Sequence, residues 1–156
     1  LLRSQGMEKR YQNEVVGLNN RMTDIHAAIG RVQLKKLDKY NNYRMENARF
    51  LNENLEDVVV PTAPKGYKHV YHQYTIRVVG HDRDKFSQEL EKLGVGSGVY
   101  YPIPIHKLPS YNEKLDLPET DKACREVLSL PVHPKLSMND LHKIVISVNK
   151  LAKAGS

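Results

Sequence analysis

Apolar side chains recur at helical spacing through residues 23–55. The positions that form this stripe are Ile25, Ile29, Val32, Leu37, Tyr40, Ala48, Leu51 and Leu55. Thr23 followed by Asp24 is a typical helix start. The pattern therefore predicts one long amphipathic helix. Because the stripe slips after Val32, we expect the helix either to contact two different bodies or to bend near Gly30.

The rest of the chain alternates between short strand patterns and amphipathic helix patterns. β-Branched or alternating apolar residues predict extended segments at 58–61, 71–79, 95–101 and 128–134. Asp82 opens a predicted helix that Gly94 stops, at a position where a left-handed cap is common. A short helix is predicted at 120–128, and Ser137 with Asp140 forms a capping-box pattern for a last helix. This order indicates an α+β fold, with helices on one face of a small, mainly antiparallel sheet.

Length, cysteine content and charge narrow the class of protein. The 156 residues are close to the usual size of one domain. The one cysteine, Cys124, excludes an internal disulfide and a cysteine-rich zinc site, and fits a reducing, cytoplasmic compartment. No metal site and no membrane span are predicted. The net charge of +6 favours an anionic partner, but the lysines are scattered, so nucleic-acid binding has little local support.

Asn19 and Arg21 lie in the segment that leads into the first predicted helix. A helix N-terminus presents free backbone N–H groups and the positive end of the helix dipole to an anion. Asn19 adds an amide donor, and Arg21 adds a planar guanidinium that matches phosphate oxygens. The residues alone fit either an ordinary capped helix start or a phosphate site.

Tyr101 and His106 lie on a loop that contains Pro102, Pro104 and Pro109. Because proline fixes φ, such a loop can hold polar groups in place against a sugar or its diphosphate. A surface loop with a solvated histidine fits the same residues equally well.

Several motifs occur in one fixed order along the chain. They are VVGLNNRMTDIHAAIGRVQLKKL at 15–37, YHQYTIR at 71–77, YYPIPIH at 100–106 and LSLPVHP at 128–134. In this order they resemble the C-terminal portion of the DegT/DnrJ/EryC1/StrS family of sugar aminotransferases, and the likeness covers nearly the whole chain. One stretch departs from the family pattern, because Pro-Glu-Thr-Asp at 118–121 stands where Pro-x-Ala-Glu is usual.

The resemblance implies a fold-type-I enzyme that uses pyridoxal 5′-phosphate (PLP). Such an enzyme moves an amino group from glutamate to a keto sugar attached to a nucleotide. It is usually a homodimer of two identical chains with each active site at the interface. Asn19 is then expected on the cofactor phosphate of the neighbouring protomer, and Arg21 near the cofactor or substrate phosphates. Tyr101 and His106 are expected to bind substrate.

The resemblance also implies that the catalytic residue is not in this chain. The family's lysine, which forms a Schiff base with the cofactor, precedes everything that is similar here. The chain alone is therefore expected to be inactive and to bind no cofactor. Residues 1–22 would continue from an absent N-terminal large domain, and residues 23–156 would be a connecting helix and a small C-terminal domain. The family also includes dehydratases and regulatory members, which this portion does not separate.

Two other classes of protein fit the residues. One is a free-standing regulatory module whose basic surface binds a nucleotide or nucleic acid, with salt-sensitive affinity. The other is an interaction domain that docks a partner on the slipped stripe of the first helix.

Overall fold

The computed structural model describes residues 1–154. In chain order the elements are β1 (Met7–Lys9), β2 (Gln12–Asn13), α1 (Asp24–Leu34), α2 (Leu37–Asn54), β3 (Tyr74–Arg77), α3 (Arg83–Lys92), a short 3₁₀ helix (Ile105–Lys107), α4 (Pro118–Glu126), β4 (Val127–Leu130) and α5 (Met138–Lys153). The chain divides into two compact units, Leu1–Asp38 and a second that begins at Lys39. The division after residue 22 stays a prediction. Among the described helices, none is long and apolar enough to cross a membrane.

The first unit opens with a small antiparallel hairpin that the hydrophobic pattern does not predict. β1 pairs with β2, with Met7 opposite Asn13. Gly6 precedes β1 with a φ of +75°, and a Cβ there would lie 1.6 Å from the Val15 carbonyl oxygen. Only glycine fits both the left-handed backbone and this close approach. The approach lets the chain return alongside its own first residues before α1 begins.

The long helix predicted over residues 23–55 is two helices, so that prediction is wrong. Lys35 and Lys36 separate α1 from α2. The Lys36 N–H donates to the Gln33 carbonyl at 2.9 Å. This i to i−3 hydrogen bond is of the 3₁₀ type, and it ends the i to i−4 pattern of α1. Gly30 lies inside α1, and the helix continues past it to Leu34. The break lies where the apolar stripe slips in the sequence. The apolar positions before and after it therefore belong to two separate helices.

β3 and β4 form the centre of an antiparallel sheet, as predicted. In their register Tyr74 lies opposite Leu130, and both side chains are buried. Single backbone bridges extend the pairing on both sides, from β3 to Val59 and from β4 to Gly98. β3 itself is shorter than the predicted segment 71–79.

The core of the second unit lies between one face of this sheet and helices α2, α3 and α5. Its fully buried side chains are Ala48, Leu51, Tyr74, Ile76, Val78, Leu90, Leu128, Val148 and Ala152. The Tyr74 hydroxyl donates to Asn52 Oδ1 at 2.6 Å, and burial raises the pKa of Tyr74 far above its ordinary value. The predicted α+β arrangement of helices on a small antiparallel sheet is confirmed.

The helix ends follow the capping signals in the sequence. Asp82 accepts hydrogen bonds from two N–H groups in the first turn of α3, and Gly94 follows α3 with a φ of +73°. Ser137 and Asp140 form the predicted capping box of α5. α4 begins at Pro118, earlier than predicted, because a proline needs no hydrogen-bond acceptor in the first helical turn.

Candidate functional site

Asn19 and Arg21 form a hydrogen-bonded pair just before α1. The Arg21 Nε–H donates to Asn19 Oδ1 at 3.0 Å, and both residues are exposed. This bond uses the amide oxygen and one of the five guanidinium N–H groups. Within the described residues, the Asn19 NH₂ group and the two terminal NH₂ groups of Arg21 have no partner. The pair therefore presents several donors, and its one acceptor oxygen, Asn19 Oδ1, already accepts from Arg21.

The backbone beneath this pair is held by the first residues of the chain. Asn19 forms an antiparallel bridge with Ser4. The Asn20 N–H donates to the Arg3 carbonyl at 2.9 Å. These bonds hold the backbone of residues 19–20 against the first residues of the chain. The Asn19 side chain therefore projects from a fixed backbone position.

α1 begins beside the pair, as its capping residues predict. The Thr23 hydroxyl accepts a hydrogen bond from the His26 N–H at 3.3 Å. Asp24 already places a carboxylate in the first turn of α1, where it meets the positive end of the helix dipole. An anion near this helix start therefore depends mainly on the side chains of Asn19 and Arg21.

Tyr101 lies on the proline-containing loop in a backbone conformation that is unfavourable for tyrosine. Its φ is +56° and its side chain is 75% exposed. A left-handed backbone costs a residue other than glycine about 1–2 kcal/mol. Such strain is concentrated at functional sites. The structure therefore holds an exposed phenol at a position that packing alone does not require.

Tyr101→Gly is expected to be more stable than Tyr101→Ala, by about 1 kcal/mol. Both changes remove the same ring, and only glycine adopts the left-handed backbone without strain. Urea unfolding of the two variants measures the difference. Tyr67, which is 77% exposed and has no positive φ, is the matched control, and there alanine should be the more stable replacement. The same order at both positions would contradict the strain at Tyr101.

His106 is buried, so the interpretation as a solvated surface histidine is wrong. It lies in the 3₁₀ helix and is 7% exposed. The Lys107 N–H donates to the Pro104 carbonyl at 2.9 Å, and the His106 carbonyl accepts from the Glu113 N–H at 2.8 Å. The His106 Nε2 atom is buried and has no hydrogen-bond partner in the described part of the chain. Hydrogen bonds thus hold the backbone on both sides of His106, and its buried side chain has one unsatisfied polar atom.

An ion pair adjoins His106. Lys107 Nζ lies 2.7 Å from both carboxylate oxygens of Asp121, and its hydrogen bond goes to Oδ2. This hydrogen bond lowers the pKa of Asp121, and the charges of Lys107, His106 and Arg125 lower it further. Asp121 is therefore ionised at neutral pH. Sequence reasoning gave no reason to pair Lys107 with Asp121, which lies in the stretch 118–121 that departs from the family pattern.

The structure brings together two of the four residues expected to bind cofactor or substrate. Asn19 and Arg21 are joined directly by a hydrogen bond. Tyr101 and His106 share one loop but differ in exposure, since the tyrosine is open to solvent and the histidine is buried. No hydrogen bond or ring contact between these two is among the contacts of the described residues.

A family model covers nearly the whole chain. It is the DegT/DnrJ/EryC1/StrS aminotransferase family, and the match covers residues 1–149. The chain belongs to this family. The resemblance carried by the ordered motifs is thereby confirmed.

Relatives in the DegT/DnrJ/EryC1/StrS family are more than twice as long as this chain. A protein named pleiotropic regulatory protein, from Geobacillus stearothermophilus, is 37% identical over 155 residues, which is 93% of this chain and 41% of the relative. A UDP-N-acetyl-3-dehydro-alpha-D-glucosamine 3-aminotransferase, from Acidithiobacillus ferrooxidans, is 33% identical over 153 residues. The match covers 96% of this chain and 41% of that relative. The chain spans about two-fifths of the length of these relatives and matches their C-terminal portion.

Solved structures of the family have the same fold over this portion. A DegT/DnrJ/EryC1/StrS aminotransferase from Brucella abortus is 32% identical with a TM-score of 0.87, over 97% of this chain and 41% of that one. NtdA from Bacillus subtilis, solved with bound cofactor PMP, is 26% identical with a TM-score of 0.84, over 97% of this chain and 38% of that one. The fold is therefore that of the small C-terminal domain of family aminotransferases.

Proposed function

We propose that the full-length protein containing this chain is a PLP-dependent aminotransferase, which moves an amino group from glutamate to a nucleotide-linked keto sugar. The observation that carries this proposal is the Asn19–Arg21 pair, at the start of α1 in a member of an aminotransferase family. A relative named as a sugar-nucleotide aminotransferase supports the substrate class. Another relative is named a regulatory protein, so the reaction itself has to be measured.

The donor set of this pair fits the phosphate of PLP. A phosphate group has only acceptor oxygens, and the pair offers an amide NH₂ and two guanidinium NH₂ groups as donors, while its one acceptor oxygen already accepts from Arg21. Asn19 binds the cofactor phosphate of the neighbouring protomer, and Arg21 binds cofactor or substrate phosphate oxygens. Both residues hold the phosphate end in place. When bound, PLP supplies an electron sink that makes the amino transfer possible.

Tyr101 and His106 contribute to the substrate side of the site. Tyr101 offers a phenol hydroxyl that can donate and accept hydrogen bonds, from a strained and exposed position. His106 offers a buried imidazole that starts from a 3₁₀ helix. The roles assigned to them are binding and orientation of the sugar, because precise placement of reacting groups accounts for much of an enzyme's acceleration.

The chain acts as one part of a larger, dimeric enzyme. The lysine that forms a Schiff base lies in the family's N-terminal domain, so this chain alone is inactive and binds no cofactor. One face of α1 carries three apolar residues that are 52–73% exposed, Ile25, Ile29 and Val32. A contiguous apolar face of this kind supports contact with other polypeptide, including a second copy. The buried, unpaired thiol of Cys124 suits a reducing, cytoplasmic compartment.

The proposal is tested with the full-length protein loaded with PLP. Glutamate is expected to abolish the visible absorption band of the cofactor, and a nucleotide-linked keto sugar is expected to restore it with formation of an amino sugar. The same nucleotide sugar without the keto group is the control and should restore nothing. Full-length protein that binds PLP but gives neither spectral change would contradict the enzyme function and favour a regulatory role.

A further inference from the structure

The segment that carries Asn19 is paired with the first residues of the chain by more than the bridge to Ser4. The Leu18 N–H donates to the Leu2 carbonyl at 2.7 Å. The Leu18 carbonyl accepts from the Gln5 N–H at 2.8 Å. The position of the segment therefore depends on how closely these two stretches of backbone approach each other.

The two stretches are in close backbone contact at Gly17. A Cβ atom on Gly17 would lie 2.7 Å from the Gln5 carbonyl carbon and 2.9 Å from Gly6 Cα, with the Gly6 nitrogen nearer still. Because carbon atoms pack at about 3.5–4.0 Å, a methyl group there would push the two backbones apart by about 1 Å. Gly17 has no positive φ, so this contact, and not a left-handed backbone, requires glycine.

Gly6 lies on the other side of this contact and is equally unable to carry a side chain. Its φ is +75°, and a Cβ atom on Gly6 would overlap the Val15 carbonyl oxygen. The two segments thus meet where neither has a side chain. Since a backbone has only two soft dihedrals per residue, an added methyl group displaces the whole segment.

A displacement at Gly17 would reach the Asn19–Arg21 pair. The antiparallel bridge of Asn19 with Ser4, two residues further along, continues the same pairing. Hydrogen bonds from nitrogen to oxygen require a distance of about 2.7–3.2 Å, so a shift of about 1 Å is enough to break them. Donors on a displaced segment would therefore miss an anion that is held by the rest of the protein.

We propose that Gly17 is a positioning residue for the cofactor phosphate, because its contact with Gly6 sets where the Asn19 amide and the Arg21 guanidinium lie. The phosphate part of this statement rests on the proposed function. The positioning part rests only on this chain. Gly17 has no side chain to offer a ligand, so it acts through the pair.

The first test measures the pairing itself in the full-length protein before PLP is added. Hydrogen exchange is followed by mass spectrometry of peptides that cover residues 15–20. Gly17→Ala is expected to speed exchange of the Leu18 and Asn20 N–H groups about 10-fold, because their hydrogen bonds hold the two stretches together. Gly96→Ala is the matched control and should change nothing. Gly96 has no positive φ, and an added Cβ would meet no described atom within 4 Å beyond its chain neighbours.

The second test measures cofactor binding by the same proteins. Gly17→Ala is expected to weaken PLP binding about 10-fold, since the donors of the pair are displaced but not removed. The same change in an Asn19→Ala, Arg21→Ala background should alter the affinity by less than about 2-fold, because Gly17 acts through these two residues. A general loss of stability would instead lower the affinity in both backgrounds.

Asn13→Ala tests the same pairing without a steric change. The exposed Asn13 amide donates to the Gln5 carbonyl at 2.6 Å, and Gln5 in turn donates to Leu18. Exchange of the Gln5 N–H is expected to rise about 5-fold, and PLP affinity is expected to fall in the same direction as with Gly17→Ala. This variant decides the test if Gly17→Ala does not fold, and unchanged exchange in it would then overturn the positioning role.

The outcomes distinguish this proposal from the proposed function. Unchanged exchange in folded Gly17→Ala protein would overturn the positioning role, whatever its activity. Faster exchange with unchanged PLP affinity would overturn the link to the phosphate. If the unmodified full-length protein binds no PLP at all, the proposed function fails, and the exchange measurement still decides what Gly17 does.

Discussion

Arg21→Ala is expected to weaken PLP binding by the full-length protein about 100-fold. A hydrogen bond to a charged group contributes about 1.5–3 kcal/mol, and a 100-fold change corresponds to about 2.7 kcal/mol. The variant loses the guanidinium fork and also the Nε–H bond to Asn19 Oδ1, which frees the Asn19 amide to rotate. Titration with PLP, followed by cofactor absorbance, measures the affinity. Amino transfer at limiting PLP should fall in parallel.

Two further variants make the Arg21 result specific. Arg31→Ala removes an exposed arginine from the last turn of α1 and should leave cofactor affinity unchanged. Arg21→Lys keeps the positive charge but loses the planar pair of NH₂ groups, so it should recover only part of the affinity. If Arg21→Ala retained PLP as well as the unmodified protein, the phosphate role of this pair would be wrong.

The helix starts could be predicted because their signals are local. Asp82, Ser137 and Thr23 each cap a helix through atoms within a few residues, so the sequence pattern contains the whole interaction. The alternation around Tyr74 likewise predicts which strand face is buried, because neighbouring side chains in a strand point to opposite faces.

The features that were missed depend on contacts that no local pattern contains. The hairpin depends on the approach of Gly6 to Val15, and the helix break on a single hydrogen bond made by Lys36. Burial of His106 likewise depends on how the 3₁₀ helix packs, including the Lys107–Asp121 ion pair with α4. A proline-rich loop predicts stiffness, but the element that covers the histidine comes from another part of the chain.

In the candidate site too, the contacts between neighbouring residues could be predicted and the contacts between distant residues could not. The Asn19–Arg21 pair spans three consecutive residues, so the motif alone predicted that both side chains could serve one ligand, and the structure adds the hydrogen bond. Asp121 lies fifteen positions after His106 in the printed sequence, and carboxylate spacing gave no reason to join them. The structure instead pairs Asp121 with Lys107, the residue after His106, and this ion pair links the 3₁₀ helix to α4.

Arg83→Met is expected to cost about 2–4 kcal/mol of stability, the largest effect on folding among the changes considered. Arg83 is the first residue of α3 and is 7% exposed. Its NH1 group donates to the Cys124 carbonyl at 3.1 Å and to the Val127 carbonyl at 3.0 Å. Its Nε–H donates to Asp84 at 2.6 Å. One side chain thus ties the start of α3 to the junction of α4 and β4.

Methionine would fill much of the same volume but would leave both carbonyl oxygens of that junction without their donor. Because those oxygens are screened from water, the loss is not recovered by solvation, unlike the loss of an exposed ion pair. Urea unfolding measures the difference in free energy. Arg125→Met, on the exposed face of α4, is the matched control and should change stability by no more than about 0.5 kcal/mol. Equal effects at the two arginines would mean that the junction does not depend on Arg83, and that sheet packing alone fixes where α4 ends and β4 begins.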